Sequence, residues 1–304
     1  MTAPERRFAK QVHSVNDLPL PVRDLIRQSQ PDGSIQLIVT IPPDRYPVRR
    51  GNWALELPFG WRTTPERTVV FGQESITIAQ ANPQGELAAT VISLADLIDI
   101  HMVGILLYAF VEFAWAVADR IETIRLEYNA VGDRLIWRGV DLTRAMFPPR
   151  IRPDPAAEPE VSLARLPMKF RNYLRFSLLP TERLLAAIYQ PAIPRATRWF
   201  HSFISPNRAL AITDRGVISI EDRHHQKRGS HWPHGDYAVI RHSYPLNQIE
   251  RIAIASEFDL CWLRLRLGTG GAKREISIPL QASETERLRA AFCAHGIGAE
   301  RSLG

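Results

Sequence analysis

The side chains best suited to bind a ligand are concentrated in one basic, histidine-rich stretch of the second half. It runs from Glu221 to His242 and contains "RHHQKRGSHWPH". Its cations could hold a phosphate or a similar anion through charge-assisted hydrogen bonds, and we take them as candidate anion-binding residues: Arg223, Lys227 and Arg228. The alternative is a solvated loop that binds nothing.

The same stretch offers candidate metal ligands. His231 and His234 are three positions apart, and imidazoles are common ligands of zinc and nickel. No Cys or carboxylate stands beside them at a firm ligand spacing. A metal enzyme using these histidines is therefore only a third hypothesis, after two binding functions.

Catalytic motifs give no positive signal. The chain contains no HExxH, GxSxG or Walker pattern. The glycine-rich "GTGGA" from Gly268 falls in a predicted hairpin turn, whereas a phosphate-binding glycine loop needs a helix N-terminus. We expect a protein that is not an enzyme and carries no cofactor.

A second candidate surface is the most apolar stretch of the chain, "MVGILLYAFVEFAWAVA", from Met102 to Ala118. A transmembrane span is disfavoured because Glu112 lies in its middle, where a charge is costly. One alternative is core, either long strands or a plug helix on which Leu106, Phe110, Phe113 and Val117 recur at helical spacing. The other is an exposed contact for a partner or a membrane, formed by its aromatic side chains: Tyr108, Phe110, Phe113 and Trp115.

The composition is typical of a globular protein in a reducing compartment. The 304 residues suit two domains, and the formal net charge of +6 comes mainly from arginine, since there are four lysines. Two cysteines make no disulfide framework, and the first residues lack the apolar core of a signal peptide. No basic tail or RNP-type aromatic pair indicates nucleic acid as a partner.

The clearest organisational signal is an internal repeat. "LPLPVRDLIRQ" from Leu18 is followed at a distance by "LPMKFRNYLRF" from Leu166, and "ERTVVFGQESITIAQ" from Glu66 matches "NRALAITDRGVISIED" from Asn207. "VISLADLIDI" from Val91 matches "SYPLNQIERI" from Ser243. We also align "TIRLEYNAVGDRLIWRGV" with "WLRLRLGTGGAKREISIP", which makes "NAVGDR" a hairpin turn and leaves the first half without a long closing helix.

The elements predicted within each half are mainly strands. Alternating runs such as "TIRLEY" and "WLRLRL" indicate strands with one wet face. Short helices are expected near residues 21–27 and 169–178, and a C-terminal helix over 283–295, with Ser283 and Glu286 at capping-box spacing. The proline-rich 148–160 separates the halves as a linker.

This order of elements resembles the bacterial pleckstrin-homology (PH)-like domains. The resemblance is carried by residues 208–220, 244–252, 262–279 and the helix 283–295, and reaches the first half through the repeat. It implies an antiparallel barrel or sandwich closed by a C-terminal helix, and a module that binds lipids, peptides or copies of itself. We therefore expect an α+β, mostly β protein: a first PH-like domain over 1–147 with an apolar insertion at 103–117, the linker 148–160, and a second PH-like domain over 161–304.

The function expected on this basis is a non-catalytic binding or scaffold protein. It would lie in the cytoplasm, where the apolar insertion and the basic loop would contact the inner-membrane surface or a membrane-bound protein. The alternative is a soluble assembly subunit whose apolar insertion is buried as core or in a homodimer.

Overall fold

The computed structural model of the chain describes residues 8–30, 32–47, 61–82, 84–105, 107–149, 163–195, 202–222, 239–257, 260–269, 271–293 and 299–300. These residues form a mostly β protein with helices packed on the sheets, which confirms the predicted fold class. None of its sheets is closed.

The described residues of the first half form ten strands and two α-helices. The strands are β1 (Lys10–Val12), β2 (Ile35–Ile41), β3 (Arg45–Pro47), β4 (Trp61–Thr63), β5 (Arg67–Gly72), β6 (Ser75–Ala81), β7 (Leu87–Ser93), β8 (Leu97–Ile105), β9 (Tyr108–Val117) and β10 (Arg120–Asn129). The helices are α1 (Leu20–Ser29) and α2 (Asp133–Met146).

From its first α-helix onward the second half repeats this order, and it adds a short strand after its last helix. Its helices are α3 (Met168–Ser177) and α4 (Thr285–Cys293). Its strands are β11 (Leu184–Gln190), β12 (Ile193–Arg195), β13 (Ser202–Ser205), β14 (Asn207–Thr213), β15 (Gly216–Asp222), β16 (Val239–Pro245), β17 (Ile249–Glu257), β18 (Leu260–Thr269), β19 (Ala272–Gln281) and β20 (Ala299–Glu300).

Three larger sheets hold most of these strands, while β3 pairs with β4 and β12 pairs with β13 in two separate two-stranded sheets. An outer sheet has the order β1-β2-β5-β6-β7, and the opposite outer sheet has the order β19-β18-β17-β20. The middle sheet has seven strands in the order β10-β9-β8-β16-β15-β14-β11, so strands of both halves share it. The two halves are joined where β8 pairs antiparallel with β16.

The repeat seen in the sequence corresponds to repeated structure at the start of each half. Pro19 and Pro167 precede α1 and α3, where proline's missing N–H costs no helical hydrogen bond. Arg23 donates to the carbonyls of Asn16 and Leu18, and Arg171 donates to those of Ala164 and Leu166. These two arginines recur at the same place because each ties its helix to the chain that enters it.

The alignment of the last strands is wrong by one strand, because it pairs β10 with β18 where the counterpart is β19. From β7 onward each residue of the first half corresponds to the one 152 positions later, since β8 begins at Leu97 and β17 at Ile249. Residues 129–134 therefore form a 3-10 turn and the start of α2, and the first half has a closing helix of 14 residues. The C-terminal helix begins at Thr285 after a 3-10 turn, two residues later than the predicted start at Ser283.

The same correspondence shows that residues 103–117 are matched in the second half. β8 and β9 have 9 and 10 residues, as do β17 and β18, so the apolar hairpin has the length of its counterpart. The stretch forms strands and not a plug helix.

The position of β9 in the middle sheet explains its apolar sequence. Val111 and Phe113 pack in the core of the first half, while Ala114 packs with Leu263 and Ile249 in the core of the second half. A strand that is covered on both faces has no solvent-exposed side, so its sequence does not alternate between apolar and polar residues. β18 keeps that alternation, with the ion-paired Arg264 on its open face.

Candidate functional site

A groove open to solvent lies between α2 and α3. α2 turns Ile136, Val140 and Thr143 toward the core, a spacing of three and four residues that defines its buried face. Its other side therefore faces the groove. At Gly139 a β-carbon would lie 2.3 Å from the ring of Phe71, so glycine allows the helix to approach β5 closely.

α3 supplies the second wall. Phe170, Leu174 and Ser177 are buried against the sheet. Phe176 is 76% exposed, a high value for so large an apolar side chain. The groove has a volume of about 680 Å³, and aromatic and aliphatic side chains make up much of its lining. They are Trp137, Leu142, Ala145, Tyr173, Phe176, Leu179 and Pro180.

A buried ion pair under the groove links its two walls. Arg144 of α2 donates from Nη2 to both oxygens of Glu182, at 2.9 and 2.7 Å. The side chains are 4% and 1% exposed. Glu182 also accepts from the hydroxyl of Thr213 at 2.7 Å and from the backbone N–H of Leu179 at 3.0 Å. This network fixes the first half to the second beneath the groove.

A second buried cation supports the aromatic part of the groove. The guanidinium carbon of Arg241 lies 3.9 Å from the ring centroid of Trp137, a cation–π contact. Burial, and next the charge of Arg144, lowers the pKa of Arg241 to about 9. Arg241 is therefore still protonated at neutral pH and holds the Trp137 ring from below.

The rim of the groove presents positive charge to solvent. Arg134 and Arg138 are exposed, and neither forms an ion pair with any residue that the structure describes. The two rim carboxylates are engaged from inside. Asp133 is hydrogen-bonded to Tyr128, and Asp141 lies 3.7 Å from Arg144. Burial raises the pKa of both aspartates.

A second polar cluster lies on the seam between the halves. His101 of β8 and His242 of β16 are cross-strand partners, and their rings stack at 4.2 Å with 9° between the planes. Nδ1 of His242 lies 3.3 Å from both oxygens of the buried Asp99, which is 3.4 Å from Arg274. Burial, and next the charge of His242, lowers the pKa of His101 to about 4. The cluster joins strands of the two halves.

The aromatic residues predicted as a partner or membrane contact lie mostly inside the protein. Phe113 and Trp115 are 0% and 6% exposed in the first core, and Phe110 is buried beside Val103 and Ile240. Tyr108 is half-buried and donates its hydroxyl to Glu127 at 2.6 Å. The structure thus places these rings where the core alternative requires them, because β9 is covered on both faces.

The other predicted site residues lie outside the described residues: Arg223, Lys227, Arg228, His231 and His234. Leu106 of the apolar stretch does so too. Among the residues that are described, no three His, Cys, Asp or Glu side chains are grouped to hold a metal ion.

The groove itself was missed at the sequence level. A signal for it existed in "DRLIWRGVDLTRAM", where apolar residues recur every three or four positions as on a helix. Reading its first residues as a hairpin turn concealed α2. The pairing of α2 with α3 could not be found from local pattern, because 21 positions separate Met146 from the Pro167 that precedes α3.

Comparison with models of known protein families and with curated protein sequences finds no match to this chain. Within the described parts of the chain, no helix combines the length and the apolar character needed to cross a membrane.

Proposed function

We propose that the protein is a non-catalytic binding protein, built from two PH-like modules, that holds a segment of a partner protein in the groove between α2 and α3. The observation that carries this proposal is an aromatic groove with an ion-paired floor and a rim of exposed arginines that have no ion-pair partner among the described residues. The PH-like assignment is supported by the order of elements, in which each half ends its strands with a closing helix.

The groove has the chemistry of a protein-binding surface. Tyr, Trp and Arg are the residue types that most often dominate binding energy, and they do so in pockets that exclude water. Trp137 and Tyr173 line this groove, and Phe176 projects into solvent at its edge. Arg241 and the Arg144–Glu182 pair hold its floor, so a ligand would meet a preorganised surface.

The rim indicates the kind of segment that fits. Arg134 and Arg138 favour a ligand with Asp or Glu at its edges, and the lining favours apolar anchors between them. We therefore infer an amphipathic, acidic segment of a cytoplasmic protein. The burial of Phe113 and Trp115 supports the core alternative for the apolar stretch, so the proposal moves the partner surface from that stretch to the groove.

A selection from a random 15-residue peptide display library tests this function. We expect enriched peptides to combine Leu, Phe or Trp with Asp or Glu. Their affinity should fall at least about tenfold with Phe176→Asp, equivalent to roughly 1.4 kcal/mol. Arg134→Glu with Arg138→Glu should lower the affinity for the same peptides and reduce the dependence of that affinity on salt concentration.

Matched controls lie elsewhere on the surface. Leu107 is 68% exposed and Arg165 is exposed, and neither lines the groove. Leu107→Asp and Arg165→Glu should leave peptide affinity unchanged. If the peptides bind equally well to the Phe176→Asp variant, the proposal that they bind in the groove is wrong. Pelleting with anionic vesicles that Phe176→Asp does not reduce would favour a membrane surface located elsewhere.

A further inference from the structure

The contact between the two halves is itself a strand-to-strand joint. One edge of β8 pairs with β9 of its own half, and the other edge pairs with β16 of the second half. The five pairs run from Val239 opposite Gly104 to Ser243 opposite Ile100.

The repeat supplies a second copy of each of these two edges. The counterpart of β16, 152 positions earlier, is β7, and the counterpart of β8 is β17. β7 is the last strand of its sheet, and among the described strands it pairs with β6 alone. β17 pairs with β18 on one side and with the short β20 on the other.

β7 lacks the charges and prolines that often protect an edge strand, and α1, which packs beside it, leaves part of its apolar surface exposed. Its sequence "LAATVIS" has no charged residue and no proline, and Leu87 and Val91 are 37% and 46% exposed. Natural edge strands are commonly protected by lysine, proline or a covering element, because an open apolar edge recruits another strand.

β20 occupies the edge of β17 that such a strand would use. It pairs in parallel with Ile252 and Ala253. β8 pairs with β16 through residues 100–104, which correspond to residues 252–256 of β17. A strand that paired with β17 in the same way would therefore occupy both positions now held by β20.

We propose that β7 of one copy of this chain pairs antiparallel with β17 of a second copy when β20 is displaced, so that copies join head to tail. The register follows the joint between the halves, with Leu87 opposite Ser256 and Val91 opposite Ile252. None of the five residue pairs includes a charged side chain, so the contact desolvates no charge within the ladder. Because the two edges differ, the contact is heterologous and growth continues unless a ring closes.

The test displaces β20 in the full chain. Ala299→Pro with Glu300→Pro removes two backbone N–H groups and disfavours pairing with β17. Mass is measured by size-exclusion chromatography with light scattering over a hundredfold range of concentration. We expect the unaltered chain at one chain mass, 34.5 kDa, and the double-proline variant at masses that rise with concentration in steps of one chain.

A lysine in β7 provides the matched comparison. Val91→Lys added to the double-proline variant should return it to one chain mass, since lysine protects an open edge. Val131→Lys in the same background is the control, because Val131 is 62% exposed and lies outside the sheets. That variant should still assemble.

A mixing experiment tests the direction of the contact. The Val91→Lys, Ala299→Pro, Glu300→Pro chain keeps an open β17, and the Ala299→Pro, Glu300→Pro chain keeps both edges. An excess of the first chain should stop growth, because its β17 binds the free β7 at the end of an assembly and its own β7 binds no further copy. The mean mass should therefore decrease as the fraction of the first chain increases. Circular dichroism checks that all variants remain folded.

Two results would overturn the proposal. One is a folded double-proline variant that stays at one chain mass at every concentration. The other is assembly that Val91→Lys and Val131→Lys affect equally. Phe176→Asp should leave assembly unchanged, so failure of this contact and failure of the peptide-binding groove are distinguishable.

Discussion

Loss of the negative charge on Glu182 should destabilise the protein far more than loss of a comparable charge at the surface. Glu182 and Arg144 are 1% and 4% exposed, so both charges have left water and depend on each other. In Glu182→Gln the side chain keeps its shape, but Arg144 remains buried close to Arg241, a second cation, and retains only the more exposed Asp141 at 3.7 Å. Breaking a buried pair by neutralising one partner costs about 3–5 kcal/mol.

The assay is urea unfolding followed by circular dichroism, with Glu257→Gln as the matched control. Glu257 pairs with Arg264 at 2.6 Å, as close as the buried pair, but the two side chains are 45% and 37% exposed. Water screens such a pair, and its loss costs about 0–1 kcal/mol. Arg144→Met combined with Glu182→Gln should cost less than the sum of the single changes, because no buried charge is then left without its partner.

The result that would refute this reasoning is equality of the two glutamate variants. If Glu182→Gln lowers the free energy of unfolding by no more than Glu257→Gln, the Arg144–Glu182 pair does not hold the halves together. The rigid floor assigned to the groove would then lose its basis.

Three further predictions follow from burial and close packing. Burial lowers the pKa of His101 to about 4, so between pH 6.5 and 4 the unfolded chain binds the proton and the folded chain does not. As the pH decreases from 6.5 to 4, the free energy of unfolding should therefore decrease by up to about 3 kcal/mol. His101→Gln should reduce this dependence of stability on pH. Gly139→Ala places a β-carbon against the Phe71 ring and should cost about 1–3 kcal/mol in urea unfolding, whereas Gly33→Ala, which meets no neighbour within 4 Å, should cost far less; equal costs would contradict the close approach of α2 to β5. Phe113→Asp with Trp115→Asp puts two carboxylates into the first core and should abolish the cooperative unfolding transition, and a variant that keeps the near-ultraviolet circular dichroism of the unaltered chain would show that these rings are not core.

Local patterns were sufficient for the elements whose physics is local. Proline before α1 and α3, alternation along β18, and the turn between β14 and β15 are properties of neighbouring residues, and these elements lie where the sequence placed them. Arg23 and Arg171 were visible as a repeated spacing, although their hydrogen bonds to preceding carbonyls appear only in the structure.

The error at residues 129–134 has a specific cause. "NAVGDR" has the composition of a turn, and it does follow a strand, but Asn129 accepts from the N–H of Val131 and so starts a helical turn. Sequence alone leaves both outcomes open, because Asn is favoured at hairpin turns and at helix starts alike. This choice shifted the alignment by one strand and made the ordinary strand pair β8–β9 resemble an insertion.

By itself, the sequence determined that the chain is mostly β, duplicated, and closed at its C-terminal end by a helix, because strand alternation, proline position and helical spacing are written in adjacent residues. Only the tertiary structure decided where the two halves meet. The apolar run of β9 is the same in sequence whether it faces a membrane, a partner or a core. Its environment depends on the pairing of β8 with β16, whose partners are about 140 positions apart, because the shared sheet made by that pairing is covered on both faces at β9.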